Sequence, residues 1–138
     1  MKRLTSILAL MLIAFLGFNA DPVPANDGDL IWDALAQQGT VVLKAKYKES
    51  PENGLIDQTL EVEIQDAPAN TTLFISINGR PFDQMVTNAF GRGTYRRDVF
   101  GVRPDSSGRP AGPRIETGDV IRVHRGGQGI SATFELRP

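Results

Sequence analysis

The chain has no cysteine and only one histidine and one tryptophan among its 138 residues. The absence of cysteine excludes disulfide bonds, thiolate metal sites, a thiol nucleophile and a lipid anchor attached through cysteine. The single histidine excludes a metal site built on two imidazoles. Neither sign of charge is in excess, because fifteen Lys and Arg balance sixteen Asp and Glu. We therefore expect no specific nucleic-acid partner, and no motif indicates a cofactor.

The first twenty residues have the pattern of a secretory signal peptide. Lys2 and Arg3 give a positive start, and residues 4–18 are almost wholly apolar. This run is shorter than the ~20 residues that span a bilayer, so a cleaved signal is favoured over a retained anchor. We predict a signal peptide over residues 1–20, with cleavage after Ala20 or, alternatively, after Ala25. The mature protein is then expected to be secreted or periplasmic, with no membrane contact.

Residues 21–38 are predicted to form a linker and a short helix. The linker is polar with two prolines, and Leu30–Ala36 has enough apolar residues for one or two helical turns, which Gly39 would end. Asp27 or Asp29 would cap this helix, because a carboxylate accepts the free N–H groups of a first turn. The same acidic stretch does not place oxygen ligands at the spacing of a calcium loop, so no metal site is predicted.

From Val41 onward the hydrophobic pattern changes to period two, which is typical of strands with one buried face. About seven strands are predicted, over residues 41–48, 60–65, 72–78, 82–87, 93–99, 119–125 and 130–137. Turn signals every ten or so residues, including the hairpin signal Asn78-Gly79, predict an all-β domain over residues 39–138, either a sandwich or a barrel. The expected core side chains are Leu43, Tyr47, Val62, Ile64, Leu73, Ile75, Ile77, Val123, Phe134 and Leu136.

Two further features concern the surface of this domain. Lysines at 44, 46 and 48 form a basic stripe, which would face Glu61 and Glu63 if the first two strands pair antiparallel. Such cross-strand pairs contribute only ~0.2–1 kcal/mol each, so they need no ligand to explain them. The segment Gly101–Thr117 is rich in proline and glycine and is predicted to be a long loop, which in a compact domain is usually functional or disordered.

Four segments of the chain follow one another in an order that is similar to that of a known group of proteins. They are LEVEI at 60–64, LFISING at 73–79, TNAFGRGTY at 87–95 and GDVIRV at 118–123. This order resembles that of bacterial immunoglobulin-like extracellular modules and of small secreted bacterial β domains. The resemblance implies an immunoglobulin-like β-sandwich of about seven strands with an adhesive, structural or spacer role, and it transfers no catalytic residue.

The charges are unevenly distributed along the chain. Residues 21–79 contain three Lys and ten acidic residues, whereas residues 80–138 contain ten Arg, no Lys and six acidic residues. A guanidinium holds carboxylate, sulfate or phosphate through two hydrogen bonds, so the second half could bind an anionic glycan or another polyanion. The candidate binding residues are Arg92, Tyr95, Arg96, Arg97, Arg103 and Arg125. The alternative is a coding bias toward Arg, with each Arg paired to a surface acid.

Catalytic patterns are weak. His124 is expected on the outward face of its strand beside Arg122, and no nucleophile-elbow sequence accompanies any serine. A triad would have to bring His124 to one of Ser76, Ser106, Ser107 and Ser131. A hydrolase working with carboxylates alone would use acids near the long loop, although no spacing marks a pair. Its candidates are Asp98, Asp105, Glu116 and Asp119.

These observations together favour an exported, non-enzymatic binding or structural module outside the cytoplasm. Its partner is unknown, and a cell-surface glycan, an anionic polymer and a protein are all compatible with the composition. Polyanion binding through the Arg-rich half is the first alternative function, and carboxylate-based hydrolysis is the second.

Overall fold

A computed structural model describes residues 28–138 of the chain. The predicted signal peptide, both cleavage positions and most of the predicted linker lie outside the described residues. The described part has nine strands: β1 (Leu30–Gln38), β2 (Val41–Glu52), β3 (Leu55–Gln65), β4 (Thr72–Ile77), β5 (Arg80–Val86), β6 (Gly93–Val102), β7 (Val120–Arg125), β8 (Gln128–Thr133) and β9 (Glu135–Leu136). It contains no helix long and apolar enough to cross a membrane.

The strands form two antiparallel sheets that pack face to face. The larger sheet has the order β6-β3-β2-β1-β9, and the smaller sheet has the order β5-β4-β7-β8. The buried core lies between them, because inward-facing apolar residues alternate with outward-facing polar ones along most strands. The predicted all-β class is confirmed, and the architecture is that of a β-sandwich.

The predicted short helix is wrong, because Leu30–Gln38 is strand β1. This strand pairs with β2 along its whole length, from Leu30 opposite Glu49 to Gln38 opposite Val41. The seven residues of Leu30–Ala36 fit the apolar period of a helix and that of a strand about equally. They form a strand because the edge of β2 that does not pair with β3 is available to pair with them. Asp29 accordingly has no helix to cap, and the β structure begins at Leu30.

The core agrees closely with the predicted one. Eight of the ten predicted side chains are buried, and Ile77 and Leu136 are partly buried. Trp32 of β1 and Ile115 of the long loop are additional core residues. The predicted last strand is divided into β8 and β9 at Phe134, a fully buried residue where the chain passes from the smaller sheet to the larger one.

The two ends of the sandwich differ in their connections. The end that we call the loop end carries the hairpins at 53–54 and 78–79 and the long segment 103–119. The opposite end, the turn end, carries the hairpins at 39–40 and 126–127 and the connections 66–71 and 87–92. The predicted Asn78-Gly79 hairpin is confirmed, with φ of 52° and 79° at its two central residues.

Candidate functional site

The predicted binding residues Tyr95, Arg96 and Arg97 do not share one surface. They are consecutive on β6, so their side chains alternate between the two faces of the strand. The Tyr95 hydroxyl donates a hydrogen bond to Asp83 of the smaller sheet at 2.7 Å. The Arg97 guanidinium lies 5.5 Å from the ring centroid of Phe82 on the same strand as Asp83. Tyr95 and Arg97 therefore face the smaller sheet, whereas Arg96 faces solvent.

Arg96 belongs to a row of alternating charges across the solvent face of the larger sheet. In register, the row runs from Asp33 through Lys46 and Glu61 to Arg96. Both cations contact Glu61, Lys46 at 3.6 Å, and Arg137 holds Asp33 through two nitrogens at 2.7 and 2.8 Å. The predicted facing of the lysine and glutamate stripes is confirmed. Because the charges alternate, this row fixes the strand register and does not concentrate positive charge.

The other three predicted arginines are divided between the two ends of the sandwich. Arg92 and Arg125 lie at the turn end, and Arg103 lies at the start of the long loop. Within residues 28–138, none of these three side chains forms an ion pair. The six predicted residues thus lie at both ends of the sandwich, on both faces of β6 and, for Arg125, on the smaller sheet, and they do not form a single patch.

A buried ion pair at the loop end was not predicted. The Glu49 side chain on β2 is only 3% exposed, and Arg109 of the long loop binds both of its oxygens, at 3.0 and 2.6 Å. The same guanidinium donates to the Ile115 carbonyl at 2.9 Å and lies 4.6 Å from the ring centroid of Trp32. Arg109 is therefore bound on its edges by acceptors and on its face by an aromatic ring.

Two neutral side chains complete this buried cluster. The Tyr47 hydroxyl donates to Glu49 at 2.7 Å, and the Gln58 amide donates to the Tyr47 oxygen at 2.8 Å and to the Pro113 carbonyl at 3.0 Å. Burial raises the pKa of Tyr47, so its hydroxyl stays protonated as a donor. Two of these polar residues had a signal in the sequence, since Glu49 and Gln58 occupy inward positions in otherwise apolar alternations.

The outer part of the loop is held by a second set of ion pairs. Arg114 donates to Glu116 at 2.7 Å and to Asp105 at 2.6 Å, and Arg109 also contacts Glu116. The Ser107 hydroxyl and then Arg114 lower the pKa of Asp105 well below its usual range. Burial alone would raise the pKa of Glu116, but the hydrogen bonds from both arginines lower it. Both carboxylates are therefore held in the ionised form.

The remaining carboxylates of the hydrolase hypothesis are also occupied. Arg96 donates to Asp98 at 3.0 Å and lowers its pKa. Asp119 accepts from the Asn78 amide at 3.0 Å and from the Glu116 main-chain nitrogen at 2.7 Å. Asp98 lies on β6, away from the other three candidates around the long loop. For Asp98, Asp105 and Glu116 the pKa is lowered, which is the reverse of the shift that a general acid needs.

His124 has one of the serines considered for a triad as its neighbour. Its Nε2 lies 2.8 Å from the Ser76 hydroxyl on the adjacent strand β4. Its buried Nδ1 has no hydrogen-bond partner among the described residues, so no carboxylate of this part orients the imidazole. Across residues 28–138, no three side chains of histidine or acidic type come together in a group that could hold a metal ion.

The turn end contains a tightly bonded turn at residues 87–92. The Asn88 side-chain oxygen accepts from the main-chain nitrogens of Phe90, at 2.9 Å, and Arg92, at 3.0 Å. Gly91 has φ of 75°, and a Cβ there would come within 2.1 Å of the Ala67 carbonyl oxygen. The Ala67 nitrogen donates to the Gly91 carbonyl at 3.0 Å. These contacts fix the turn against the connection 66–71 and point Phe90 into solvent.

A cleft lies beside this turn. It has a volume of about 390 Å³. Its lining residues are Gln65, Asp66, Asn88, Phe90 and Arg92. Of the six predicted binding residues, only Arg92 contributes to it. Arg92 is predictable from its charge, whereas Phe90 has no sequence signal beyond its position in a glycine-containing turn.

No protein-family model matches the chain, and no curated protein matches it at a significant level.

Proposed function

We propose that this protein is an exported, non-enzymatic β-sandwich that acts as a binding or structural module outside the cytoplasm. Export is supported by residues 1–20, whose positive start and short apolar run are typical of a cleaved secretory signal. A chain without cysteine needs no oxidative folding after export. The protein is then expected in the periplasm or in the medium.

The strand order supports an immunoglobulin-like type of sandwich. In that architecture, strands B and E pair in one sheet while strands C and F pair in the other. The pairs β3–β6 and β4–β7 correspond to these two pairings, and β5 and β8 lie on either side of the second pair. Strands β1 and β9 are additional members of the larger sheet. Many cell-surface modules share this architecture, which is consistent with a binding or spacing role.

The state of the loop-end carboxylates is the observation that carries the non-enzymatic part of the proposal. Asp105 and Glu116 accept charge-assisted hydrogen bonds from Arg109 and Arg114, which stabilises their ionised forms. An acid–base pair needs one carboxyl that is protonated near neutral pH, and this arrangement works against it. The long loop is better explained as a structural cover over the buried Glu49 than as the wall of an active site.

Polyanion binding has less support. The alternating charges around Arg96 and the orientation of Arg97 toward Phe82 leave these two side chains without a common surface. Arg92 and Arg125 remain as cations at the turn end. A polyanion site built on these two alone would contain fewer positive charges than the sequence suggested, and its affinity would still fall steeply with salt.

Expression of the full chain in a Gram-negative bacterium tests the proposal. Fractionation followed by intact-mass measurement is expected to find a protein beginning at Asp21 or Asn26 outside the cytoplasm. A Leu10→Arg variant, which interrupts the apolar run, serves as the control and should stay unprocessed. Full-length protein in the cytosol would contradict export. Hydrolysis of a glycoside or ester that Glu116→Gln abolishes would contradict the non-enzymatic role.

A further inference from the structure

Phe90 is the most exposed large apolar side chain of the described residues, at 86%. Its position does not result from a loose loop, since Asn88 and Gly91 fix the turn on both sides of it. A turn that is rigid in the free protein loses little conformational entropy when a ligand binds. An aromatic ring held in solvent by such a turn is therefore suited to act as a binding platform.

The polar groups around Phe90 supply both donors and acceptors. The Asn88 oxygen is used within the turn, which leaves its amide nitrogen as a donor. The Gln65 nitrogen donates to Glu63 at 3.0 Å, which leaves its oxygen as an acceptor. Asp66 and Arg92 are exposed, and neither forms an ion pair within residues 28–138. The cleft thus offers two acceptors and two donors beside one aromatic face.

The charges of the cleft restrict the ligand class. One carboxylate, from Asp66, and one guanidinium, from Arg92, give the cleft no net charge. A polyanion would be drawn to Arg92 but repelled by Asp66, whereas a hydroxyl group can both donate to a carboxylate and accept from a guanidinium. A neutral ring that carries several hydroxyls has a donor or an acceptor to match each of the four polar groups. Its C–H face can pack on the electron-rich face of Phe90.

We propose that the cleft beside Phe90 binds a neutral pyranose unit of a polysaccharide. The inference rests on the proposed function as a binding module and gives that module a ligand class. The volume of about 390 Å³ lies in the range of small-molecule sites. A protein partner is less favoured, because stable protein interfaces bury about 1,000 Å² or more, and the surroundings of Phe90 are polar.

Affinity electrophoresis of the processed protein tests this inference. Native gels are cast with neutral polysaccharides, namely xylan, galactomannan, hydroxyethyl cellulose and dextran, and separately with heparin and polygalacturonate. At least one neutral polymer is expected to retard the protein. Phe90→Ala should raise the dissociation constant obtained from that retardation at least about tenfold, and Arg92→Gln should raise it less.

Phe100→Ala is the matched control, since Phe100 is 73% exposed and lies toward the loop end. It should be retarded like the wild type, and equal urea midpoints should show that both Phe variants fold. Retardation by heparin or polygalacturonate only, abolished by salt, would overturn the inference in favour of a polyanion. No retardation by any neutral polymer would also overturn it. If Phe90→Ala leaves the binding of a neutral polymer unchanged, the cleft is not the binding site, although the protein is still a binding module. A cytosolic, unprocessed chain would instead contradict the proposed function itself.

Discussion

The two ends of the sandwich use arginine in opposite ways. At the loop end, Arg109 is bound by Glu49, Glu116, a main-chain oxygen and the face of Trp32. At the turn end, Arg92 has no ion-pair partner among the described residues and borders an open cleft. The long loop therefore pairs Arg109 and Arg114 within the protein. The short turn uses the Asn88 oxygen internally and leaves the Arg92 guanidinium without an ion pair.

Loop length therefore does not decide whether an arginine of this molecule is paired within the protein. The long segment rich in proline and glycine is predicted to be functional or disordered, and binding residues are often on loops that a rigid scaffold positions. The structure gives that segment a buried anchor at Glu49 and places the exposed Phe90 ring on a six-residue connection. The long loop is held by ion pairs of Arg109 and Arg114 at the loop end. The short turn is held by hydrogen bonds to main-chain groups at the turn end.

Breaking the loop-end anchor is expected to have the largest effect. Arg109→Met leaves Glu49 buried without its cation, which typically costs about 3–5 kcal/mol. Urea unfolding followed by Trp32 emission measures the loss, because Trp32 is the only tryptophan and contacts Arg109. Arg103→Met in the same loop is the control and should change stability by less than about 0.5 kcal/mol.

The double variant Arg109→Met with Glu49→Leu sharpens the same test. Replacing both partners of a buried ion pair by apolar groups is often close to neutral, so the double variant should be more stable than the single one. An Arg109→Met variant that loses less than about 1 kcal/mol would show that the pair does not anchor the loop.

Distorting the turn end is expected to have the next largest effect. Gly91→Ala combines a positive φ with a steric clash against the Ala67 carbonyl, and we expect a loss of about 2–4 kcal/mol. Gly79→Ala is matched in φ, at 79°, but its added Cβ would meet no atom within 4 Å. That control should lose only about 1–2 kcal/mol. Equal losses for the two variants in urea unfolding would contradict the close packing of the turn against residue 67.

Lowering the pH is expected to reduce the free energy of unfolding gradually, by less than the two substitutions above. The folded-state pKa values of Asp105 and Glu116 are lowered, so their stabilising contribution is complete above the ordinary carboxyl pKa of ~4. It is lost as the pH falls through the lowered values. The Arg114→Met variant should therefore be less stable near neutral pH and should lose less further stability on acidification than the wild type. Urea midpoints across the acid range measure both slopes, and parallel slopes would contradict the role of Arg114.

The sequence predicts the strands far better than it predicts the site. Alternation identifies the inward residues of β2, β3 and β4, and the Asn78-Gly79 turn is specific because both residues need positive φ. The sequence failed at β1, where a seven-residue apolar pattern fits either period and only pairing with β2 decides. Tyr95, Arg96 and Arg97 were grouped by chain proximity, although period two separates neighbouring side chains onto opposite faces of β6.

The two polar sites depend on contacts that no local pattern specifies. Glu49 and Arg109 are sixty positions apart along the chain, and only the folded loop brings them together. The cleft depends on the packing of Gly91 against Ala67, which joins two separate connections. Polar residues at inward strand positions, as at Glu49 and Gln58, are the signals that could have pointed to buried partners.

Mapping of amide chemical shifts by NMR tests the central contrast most directly. The processed protein is titrated with a soluble oligosaccharide cut from the neutral polysaccharide that retards it. We predict shift changes at residues 65–67 and 88–92, with the amides of the 103–119 loop unmoved. Changes centred on the 103–119 loop, or on Ser76 and His124, would contradict the assignment of binding to the turn end.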